Sequence, residues 1–392
     1  MKLRFNIAVA LLCFAYLALE WNNGRAQMAD FRVYYDAADA LVHGDTLYGK
    51  AFGVSSGFYK YSPFACLPFI PLTFLPYAAA SIVYYILLTA ALIFFLWRVS
   101  ELVCNTKGNP AFAVTLVTGI FLIDHLEREL HLGNINLFLL MALFEVYRLL
   151  LGKKDLKAGA LYGLVLLFKP HFLLLLPYFI WKRKWLTATI TIGCVFIGLI
   201  LPAIGLGWDQ NMRLLRFWML TIGDHNVALQ HSPNTLYGLI NRMFMGELGG
   251  PRLIIVILTL VALLTALGLW LNDRRHGERW SSAIRFEEYF FLIGIVPNLV
   301  HTDTEHFMWV WPMLALAVCA ALNAKTNYRI AIICLLALAF IPFAVNSPDI
   351  VGQRFQLLFD EGGLGVANVM ILLAGLLASK DWLKVEKLKV EG

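Results

Sequence analysis

Residues 78–97 read AAASIVYYILLTAALIFFLW, twenty residues without a charged side chain. A helix needs about 20 apolar residues to cross the hydrocarbon core of a bilayer. The whole chain of 392 residues is 60% hydrophobic and only 15% charged, with a mean hydropathy of +0.70. Ordinary soluble chains carry about 25% charged residues. These values predict an all-α polytopic membrane protein and exclude the soluble, fibrous, disordered and disulfide-framework classes.

Further apolar runs predict about twelve transmembrane helices within a single membrane-embedded domain, 1–392. Lys and Arg cluster in every second loop, which places both chain ends in the cytoplasm by the positive-inside rule. The first run is interpreted as a membrane helix because no small-residue cleavage site follows it. The tail, residues 380–392, is expected to be cytoplasmic. The predicted spans are 5–20, 78–97, 111–124, 134–151, 158–168, 171–181, 185–206, 252–271, 284–300, 306–322, 328–345 and 364–379.

The loops on the opposite side hold most of the polar residues. The longest include residues 21–62, where an amphipathic helix is expected, and 207–250. A channel or carrier would concentrate polar groups at the midplane of its helices. The distribution therefore predicts a reaction site at the extracytoplasmic surface of the cytoplasmic (inner) membrane. The net charge of +6 forms no long basic stripe, so no nucleic-acid partner is expected. The six cysteines stand singly, and no metal or disulfide framework is predicted.

The first of these loops contains Asp30-Phe31-Arg32-Val33-Tyr34-Tyr35-Asp36. Apolar residues at positions 31, 34, 38 and 41 predict a helix that lies in the membrane interface. Asp30 stands at its start, where two roles fit. Aspartate is a common N-cap, and a carboxylate at the membrane surface can also act as a general base.

Three other polar clusters are candidates for ligand binding. Lys169-Pro170-His171 places a cation and an imidazole at a helix break, either to hold a phosphate or to reach the interface by snorkelling. Asn234 lies in a polar turn, where capping is the alternative. The segment from His301 to Pro312 is rich in imidazoles and carboxylates but contains no recognisable zinc motif. Trp309, in this segment, is either a ligand contact or an interfacial anchor.

Taken in order, these segments resemble glycosyltransferase family 87, the polyprenol-phosphate-mannose-dependent α-mannosyltransferases of the GT-C superfamily. The resemblance runs from about residue 28 to about residue 320. It is carried by the loop-one pattern Asp-Phe-x-Val-Tyr-x-x-Ala-Ala-x-Ala-Leu, by Tyr61-Ser62-Pro63-Phe64, Gly133-Asn134-Ile135-Asn136-Leu137 and Lys169-Pro170, and by Asn234-Thr235-Leu236-Tyr237-Gly238-Leu239 and His306 before Trp309 and Trp311.

The resemblance implies an inverting, metal-independent transfer without a cofactor. A polyprenyl-phosphate sugar donor lies in the membrane, and Asp30 deprotonates the hydroxyl of a glycolipid or glycan acceptor. The candidates for binding the donor phosphate or sugar are Lys169, His171, His306, Arg128 and His131. Those for the acceptor or loop contacts are Tyr34, Tyr35, Asp36, Asn134, Asn234 and Trp309. The alternatives are a GT-C transferase that uses polyprenyl-phosphate arabinose or glucose, and a lipid-linked sugar transporter. The donor sugar is not defined by the sequence.

Overall fold

A computed structural model describes residues 2–53, 57–104, 109–227, 232–238, 283–300, 303–323, 326–345, 352 and 362–390. The predicted span 252–271, His301 and parts of the loop 207–250 lie outside these residues. In chain order the α-helices are α1 (Lys2–Asn22), α2 (Ala29–His43), α3 (Ile70–Thr73), α4 (Tyr77–Cys104), α5 (Asn109–Phe121), α6 (Ile123–Leu132), α7 (Asn136–Leu151), α8 (Asp155–Phe168), α9 (Leu175–Trp181), α10 (Trp185–Ile200), α11 (Ala203–Leu206), α12 (Trp208–Val227), α13 (Phe286–Gly294), α14 (Val296–Leu299), α15 (Trp311–Leu322), α16 (Arg329–Ala344) and α17 (Leu364–Val390).

Short 3₁₀ segments and one small hairpin complete the described structure. The 3₁₀ helices are Pro63–Phe69, Pro170–Leu174 and Thr304–Val310. Strands β1 (Ala51–Phe52) and β2 (Gly57–Phe58) pair antiparallel, with Ala51 opposite Phe58. Two of the 3₁₀ helices begin at a proline, whose fixed φ suits the first turn of a helix.

Four of the described helices are long and apolar enough to cross a membrane: Lys2–Asn22, Tyr77–Cys104, Trp185–Leu206 and Thr304–Leu322. A fifth candidate is the pair Pro110–Phe121 and Ile123–Leu132, which is bent by 67°. Pro63–Thr73, Pro170–Trp181, Arg329–Ala344 and Leu364–Lys380 are shorter apolar helices. A predominantly helical structure with several candidate membrane spans is therefore confirmed, while the number of about twelve spans stays a prediction.

The chain forms two compact units. The first comprises Met1–Phe95 and Glu127–Val227, and the second comprises Leu96–Leu126 and Ala228–Gly392. In the first unit, α2 buries Phe31, Tyr34, Ala38 and Leu41, the four positions whose period predicted its apolar face. The helix ends at Gly44, whose φ of +76° allows its N–H to bond back to Ala40 and Leu41.

Glycines bring α8 and α10 of the first unit together. A Cβ on Gly159 would stand 2.6 Å from the carbonyl oxygen of Thr187, and one on Gly163 would stand 2.6 Å from the Cβ of Cys194. Thr191 Oγ1 also donates to the Gly159 carbonyl oxygen at 3.1 Å. Small residues four positions apart commonly form the contact between membrane helices. This contact fixes α8, whose C-terminal end leads into Lys169.

In the second unit, three asparagines fasten the turn at residues 232–238 to the helices. Asn368 Nδ2 donates to Asn298 Oδ1 at 2.7 Å, and Asn298 Nδ2 donates to the carbonyl oxygens of Gly365 and Asn234. The Gly365 N–H donates to Asn234 Oδ1 at 3.1 Å. Amide side chains form such bridges in membrane proteins because the bilayer offers no water to replace them.

Candidate active site

Asp30 lies in the first turn of α2 but does not cap it. The N-cap is Met28, which has a left-handed backbone and makes no side-chain cap. The carboxylate of Asp30 is half-buried, and its Oδ2 accepts a hydrogen bond of 2.5 Å from Asn134 Nδ2. The N-cap alternative is therefore wrong for Asp30. The carboxylate instead faces the turn between α6 and α7, although its role in the reaction stays a prediction.

Gly133 allows this turn to approach α2. Its φ is +64°, a left-handed conformation that glycine adopts without a steric cost. A Cβ at this position would lie 2.6 Å from Met28 Cε and 2.8 Å from Phe31 Cβ. The absence of a side chain at Gly133 lets the next residue, Asn134, reach Asp30.

Two neighbouring donors orient the amide of Asn134. Its Oδ1 accepts from the Ile135 N–H at 2.7 Å and from the Tyr34 hydroxyl at 3.1 Å. Because an amide oxygen only accepts, these contacts turn Nδ2 toward Asp30. The Tyr34 oxygen also lies 3.1 Å from the Tyr61 hydroxyl. Tyr34 has already donated its hydrogen to Asn134, so Tyr61 is the donor in that pair.

Tyr34 remains a neutral phenol in this environment. Complete burial, followed by the neighbouring Tyr61 and Asp30, raises the pKa of Tyr34 well above its ordinary value of 10. Its ring lies against Tyr61 and Phe69, with centroids 5.4 and 5.0 Å away. Tyr34 can therefore donate to Asn134 throughout the physiological pH range.

Lys169 lies beside Tyr61, at the opposite end from Asp30 of the contacts that run through Asn134 and Tyr34. Its side chain is buried, and the ammonium is 6.0 Å from the centre of the Tyr61 ring. Nζ donates to Asn136 Oδ1 at 2.6 Å, and Asn136 Nδ2 donates to Glu129 Oε2 at 3.0 Å. The first unit thus joins Asp30 to Lys169 through Asn134, Tyr34 and Tyr61. All of these side chains except Glu129 belong to the sequence motifs of the family resemblance.

Two more candidates lie on α2 but have other contacts. Asp36 Oδ2 pairs with Arg32 Nε at 2.8 Å, and the Tyr35 hydroxyl donates to the Leu75 carbonyl oxygen at 2.7 Å. Arg32 also lies over the Tyr77 ring, 4.2 Å from its centre. These contacts hold α2 against the segment that leads into α4. A role for Asp36 or Tyr35 in acceptor binding stays a prediction.

The other basic candidates of the first unit are His131, Arg128 and His171. His131 Nδ1 lies 2.6 Å from Glu20 Oε2, and Arg25 donates to the other oxygen of Glu20 at 2.7 Å. Arg128, one turn before His131 on α6, is half-buried, as is His171 in the 3₁₀ helix after α8. Their proposed contacts with the donor stay predictions.

In the second unit, a polar cluster stands at the start of the Thr304–Val310 helix. Asp303, Glu305 and His306 have potential ligand atoms that all lie within 4.8 Å of one another. His306 Nδ1 faces the Asp303 carbonyl oxygen at 3.3 Å, which favours the tautomer with a proton on Nδ1. These three residues could hold a cation, although Asp303 is exposed.

Trp309 and Asn234, also in the second unit, both have structural contacts. Trp309 is fully buried and packs edge-on to His306, with ring centroids 5.0 Å apart. An anchor at the membrane interface is therefore the wrong interpretation for Trp309. Asn234 joins its turn to α17, as described above.

The motifs did not reveal the role of Glu129 and Asn136. Glu129 is the residue whose side chain caps α7, because its Oε1 accepts from the Leu137 N–H at 2.8 Å. Glu129 belongs to the preceding helix and lies six residues before the N-cap Ile135, so no local sequence pattern of α7 indicates its capping role.

Comparison with known proteins adds relatives of defined activity. A polyprenol-phosphate-mannose-dependent α-(1-2)-phosphatidylinositol pentamannoside mannosyltransferase of Mycobacterium tuberculosis is 24% identical over 330 residues, 82% of this chain and 72% of the relative. The protein with the same description in Mycolicibacterium smegmatis is 24% identical over 338 residues, 83% of this chain and 78% of the relative.

A third relative transfers a different sugar. An α-(1->3)-arabinofuranosyltransferase of Corynebacterium glutamicum is 28% identical over 203 residues, which are 50% of this chain but only 45% of that protein. No solved structure matches the chain significantly. The model of glycosyltransferase family 87 matches residues 58–296, more than half of the chain. With its apolar helices and the ordered motifs of the first unit, the chain belongs to glycosyltransferase family 87.

Proposed function

We propose that this membrane glycosyltransferase moves a hexose, mannose, from a polyprenyl-phosphate donor to a lipid or glycan acceptor. The reaction takes place on the extracytoplasmic side of the cytoplasmic membrane. Two relatives that are matched over most of their length use polyprenol-phosphate mannose by their descriptions, which supports the donor. The observation that carries the mechanism is the chain of contacts from the Asp30 carboxylate to the Lys169 ammonium.

Asp30 is the general base in this proposal. The carboxylate takes the proton of the acceptor hydroxyl as the acceptor oxygen forms a bond to the anomeric carbon. Asn134 holds one carboxylate oxygen, so the direction of the base is set before the acceptor binds. Asp30 lies before the residues that the family model matches, and its assignment rests on these contacts and on the loop-one motif.

Lys169 stabilises the leaving group. The bond between the anomeric carbon and the phosphate oxygen breaks, and its electron pair leaves with the polyprenyl phosphate. A buried ammonium beside this oxygen offsets the negative charge more strongly than one in water. The acceptor attacks the face of the anomeric carbon opposite the leaving group, so this single displacement inverts the anomeric configuration. The proposal requires no metal for removing the acceptor proton or for stabilising the leaving phosphate.

The test is Asp30→Asn with Asp39→Asn as its matched control. Both changes remove one carboxylate of α2, but Asp39 is exposed on the helix surface, where its Oδ1 lies 3.5 Å from His43 Nδ1. Purified variants are incubated with radiolabelled polyprenyl-phosphate mannose and acceptor-containing membrane extract. We expect Asp30→Asn to lose transfer by at least about 100-fold, the usual lower effect of a general base. Full activity of Asp30→Asn would disprove the assignment.

The same assay distinguishes the donor sugars. Polyprenyl-phosphate arabinose is the second candidate, because one relative is an arabinofuranosyltransferase. We expect label from mannose to reach a lipid or glycan product and label from arabinose or glucose donors to remain on the donor. The reverse pattern would replace mannose but leave the polyprenyl-phosphate mechanism in place.

A further inference from the structure

We propose that Glu129 is a positioning residue of the donor-phosphate site, which acts on Lys169 through the side chain of Asn136. The inference rests on the proposed function, since it assumes that Lys169 binds the donor phosphate. Glu129 is outside every motif named above, and it would act without touching the substrate.

Glu129 is fixed by two hydrogen bonds at the start of α7. Its side chain is 1% exposed. Oε1 accepts from the Leu137 N–H at 2.8 Å, and Oε2 accepts from Asn136 Nδ2 at 3.0 Å. The N-cap residue Ile135 supplies no side-chain cap of its own. A carboxylate at the N-terminus of a helix is also favoured by the helix dipole.

The charges at the two ends of Asn136 determine how its amide points. A carboxylate only accepts hydrogen bonds and an ammonium only donates them. The Nδ2 group therefore faces Glu129, and Oδ1 faces the Lys169 ammonium at 2.6 Å. A turned amide would place a donor against the ammonium and an acceptor against the carboxylate. Glu129 thus selects the orientation that gives Lys169 an acceptor.

Lys169 depends on such acceptors because it is buried. Its side chain is 4% exposed, and burial without compensating contacts disfavours the charged form of an amine. The Asn136 oxygen and the Tyr61 ring are two contacts that stabilise the ammonium and fix its direction. Without the Glu129 charge, the Asn136 amide is no longer held with its oxygen toward Lys169. The ammonium then loses an acceptor that fixes its direction toward the donor phosphate.

The test measures binding of polyprenyl phosphate, the lipid product, to the purified full-length protein in detergent. The variants are Glu129→Gln, Asn136→Ala and Lys169→Met, with Glu145→Gln as the control. Glu145 is a partly exposed glutamate of α7 that pairs with Arg148. Asn136→Ala keeps the bond between Glu129 and Leu137, so it separates positioning from helix capping. Melting temperature and the KM values for donor and acceptor are measured in parallel.

We expect Glu129→Gln and Asn136→Ala each to weaken binding of polyprenyl phosphate about tenfold, the effect of one hydrogen bond to a charged group. The donor KM should rise by a similar factor, while the acceptor KM and the Glu145→Gln protein stay unchanged. In a Lys169→Met background, Glu129→Gln should weaken binding no further.

Two results would overturn the inference. One is a Glu129→Gln protein that melts earlier but binds polyprenyl phosphate normally, which would make Glu129 a helix cap alone. The other is an equal effect of Glu129→Gln with and without Lys169. A wild-type protein that binds polyprenyl phosphate but transfers no sugar would refute the proposed function and leave these binding tests valid. A wild-type protein that does not bind it refutes both.

Discussion

At the scale of single residues, the two ends of the Asn134 amide have different tasks. Its oxygen accepts from Tyr34 and from the Ile135 N–H, while its amino group donates to Asp30. Hydrogen bonds to charged groups contribute about 1.5–3 kcal/mol, and neutral ones about 1 kcal/mol. The weaker contacts orient the amide, and the stronger contact orients the carboxylate.

Tyr34 makes the protein sensitive to alkali. The pKa of Tyr34 is raised well above 10 by burial, and burial also raises the pKa values of Tyr48 and Tyr59. Above about pH 10 these phenols ionise in the unfolded chain but stay protonated in the folded one, so the folded state binds more protons. Their contribution to stability is complete below pH 10 and is lost as the pH rises toward the raised values.

We therefore expect the melting temperature to fall steeply above pH 10 and less steeply for Tyr34→Phe. At neutral pH the same change should lower transfer roughly fivefold, because Asn134 loses a neutral hydrogen bond of about 1 kcal/mol. Melting curves of the detergent-purified protein between pH 8 and 11 provide the measurement. Tyr237→Phe, at an exposed ring, controls for the loss of a phenol. An unchanged alkaline slope in Tyr34→Phe would contradict the account.

The burial of residues on the apolar face of a helix could be predicted from the sequence, but hydrogen bonds between different helices could not. The burial of Phe31 and Tyr34 follows from the helical period. The pairing of Lys169 with Asn136 joins residues 33 positions apart, and that of Asn134 with Asp30 joins residues 104 positions apart. No local pattern encodes such contacts, because they depend on how the helices pack.

At the scale of elements, the turn between α6 and α7 determines where the network forms. Gly133 provides the left-handed backbone and the space against Met28 and Phe31. We expect Gly133→Ala to lower the free energy of unfolding by roughly 1–3 kcal/mol, because the new methyl group overlaps both side chains and the backbone is strained. Transfer should fall further than the folded fraction, since Asn134 moves with the turn.

Gly193→Ala is the matched control for this change. Gly193 lies within α10 of the same unit, and a Cβ there would meet nothing within 4 Å. Alanine is the better helix former by about 1 kcal/mol, so the variant should be as stable as the wild type or slightly more stable. Equal melting temperatures for Gly133→Ala and Gly193→Ala would rule out the close approach as a source of stability.

The helix breaks were easier to predict than the bends. Proline marks the 3₁₀ segments at Pro63–Phe69 and Pro170–Leu174, and its missing N–H signals them in the sequence. The bend of 67° between α5 and α6 has no such marker. Residues 111–124 were predicted as one span because hydropathy does not show where a helix changes direction.

At the scale of the whole molecule, sidedness is the property that can be tested most directly. The charge pattern predicts that residues 21–62 are extracytoplasmic and that the loop around Lys153 is cytoplasmic. Both Asp45 and Lys153 are exposed, and the six native cysteines are free. In a cysteine-free background, Asp45→Cys should react with a membrane-impermeant maleimide in intact cells. Lys153→Cys should react only after permeabilisation. The opposite pattern would invert the proposed topology.

Composition was sufficient to predict the membrane class but not the number of crossings. A chain with 60% hydrophobic residues requires a bilayer, whatever the number and direction of its membrane crossings. The apolar helices Pro63–Thr73 and Pro170–Trp181 are too short to cross an ordinary bilayer unaided. The number of crossings depends on whether such segments enter the membrane partly or pair end to end, which hydropathy does not reveal.

The side chains between Lys169 and Asp30 also imply a thermodynamic linkage. Tyr61 contacts the lysine that is proposed to bind the donor and the tyrosine that orients Asn134. A donor that draws the ammonium toward its phosphate therefore acts on the same side chains that orient the base for the acceptor. Linkage is reciprocal, so any factor by which the donor tightens acceptor binding is the factor by which the acceptor tightens donor binding. The two substrates are expected to bind cooperatively.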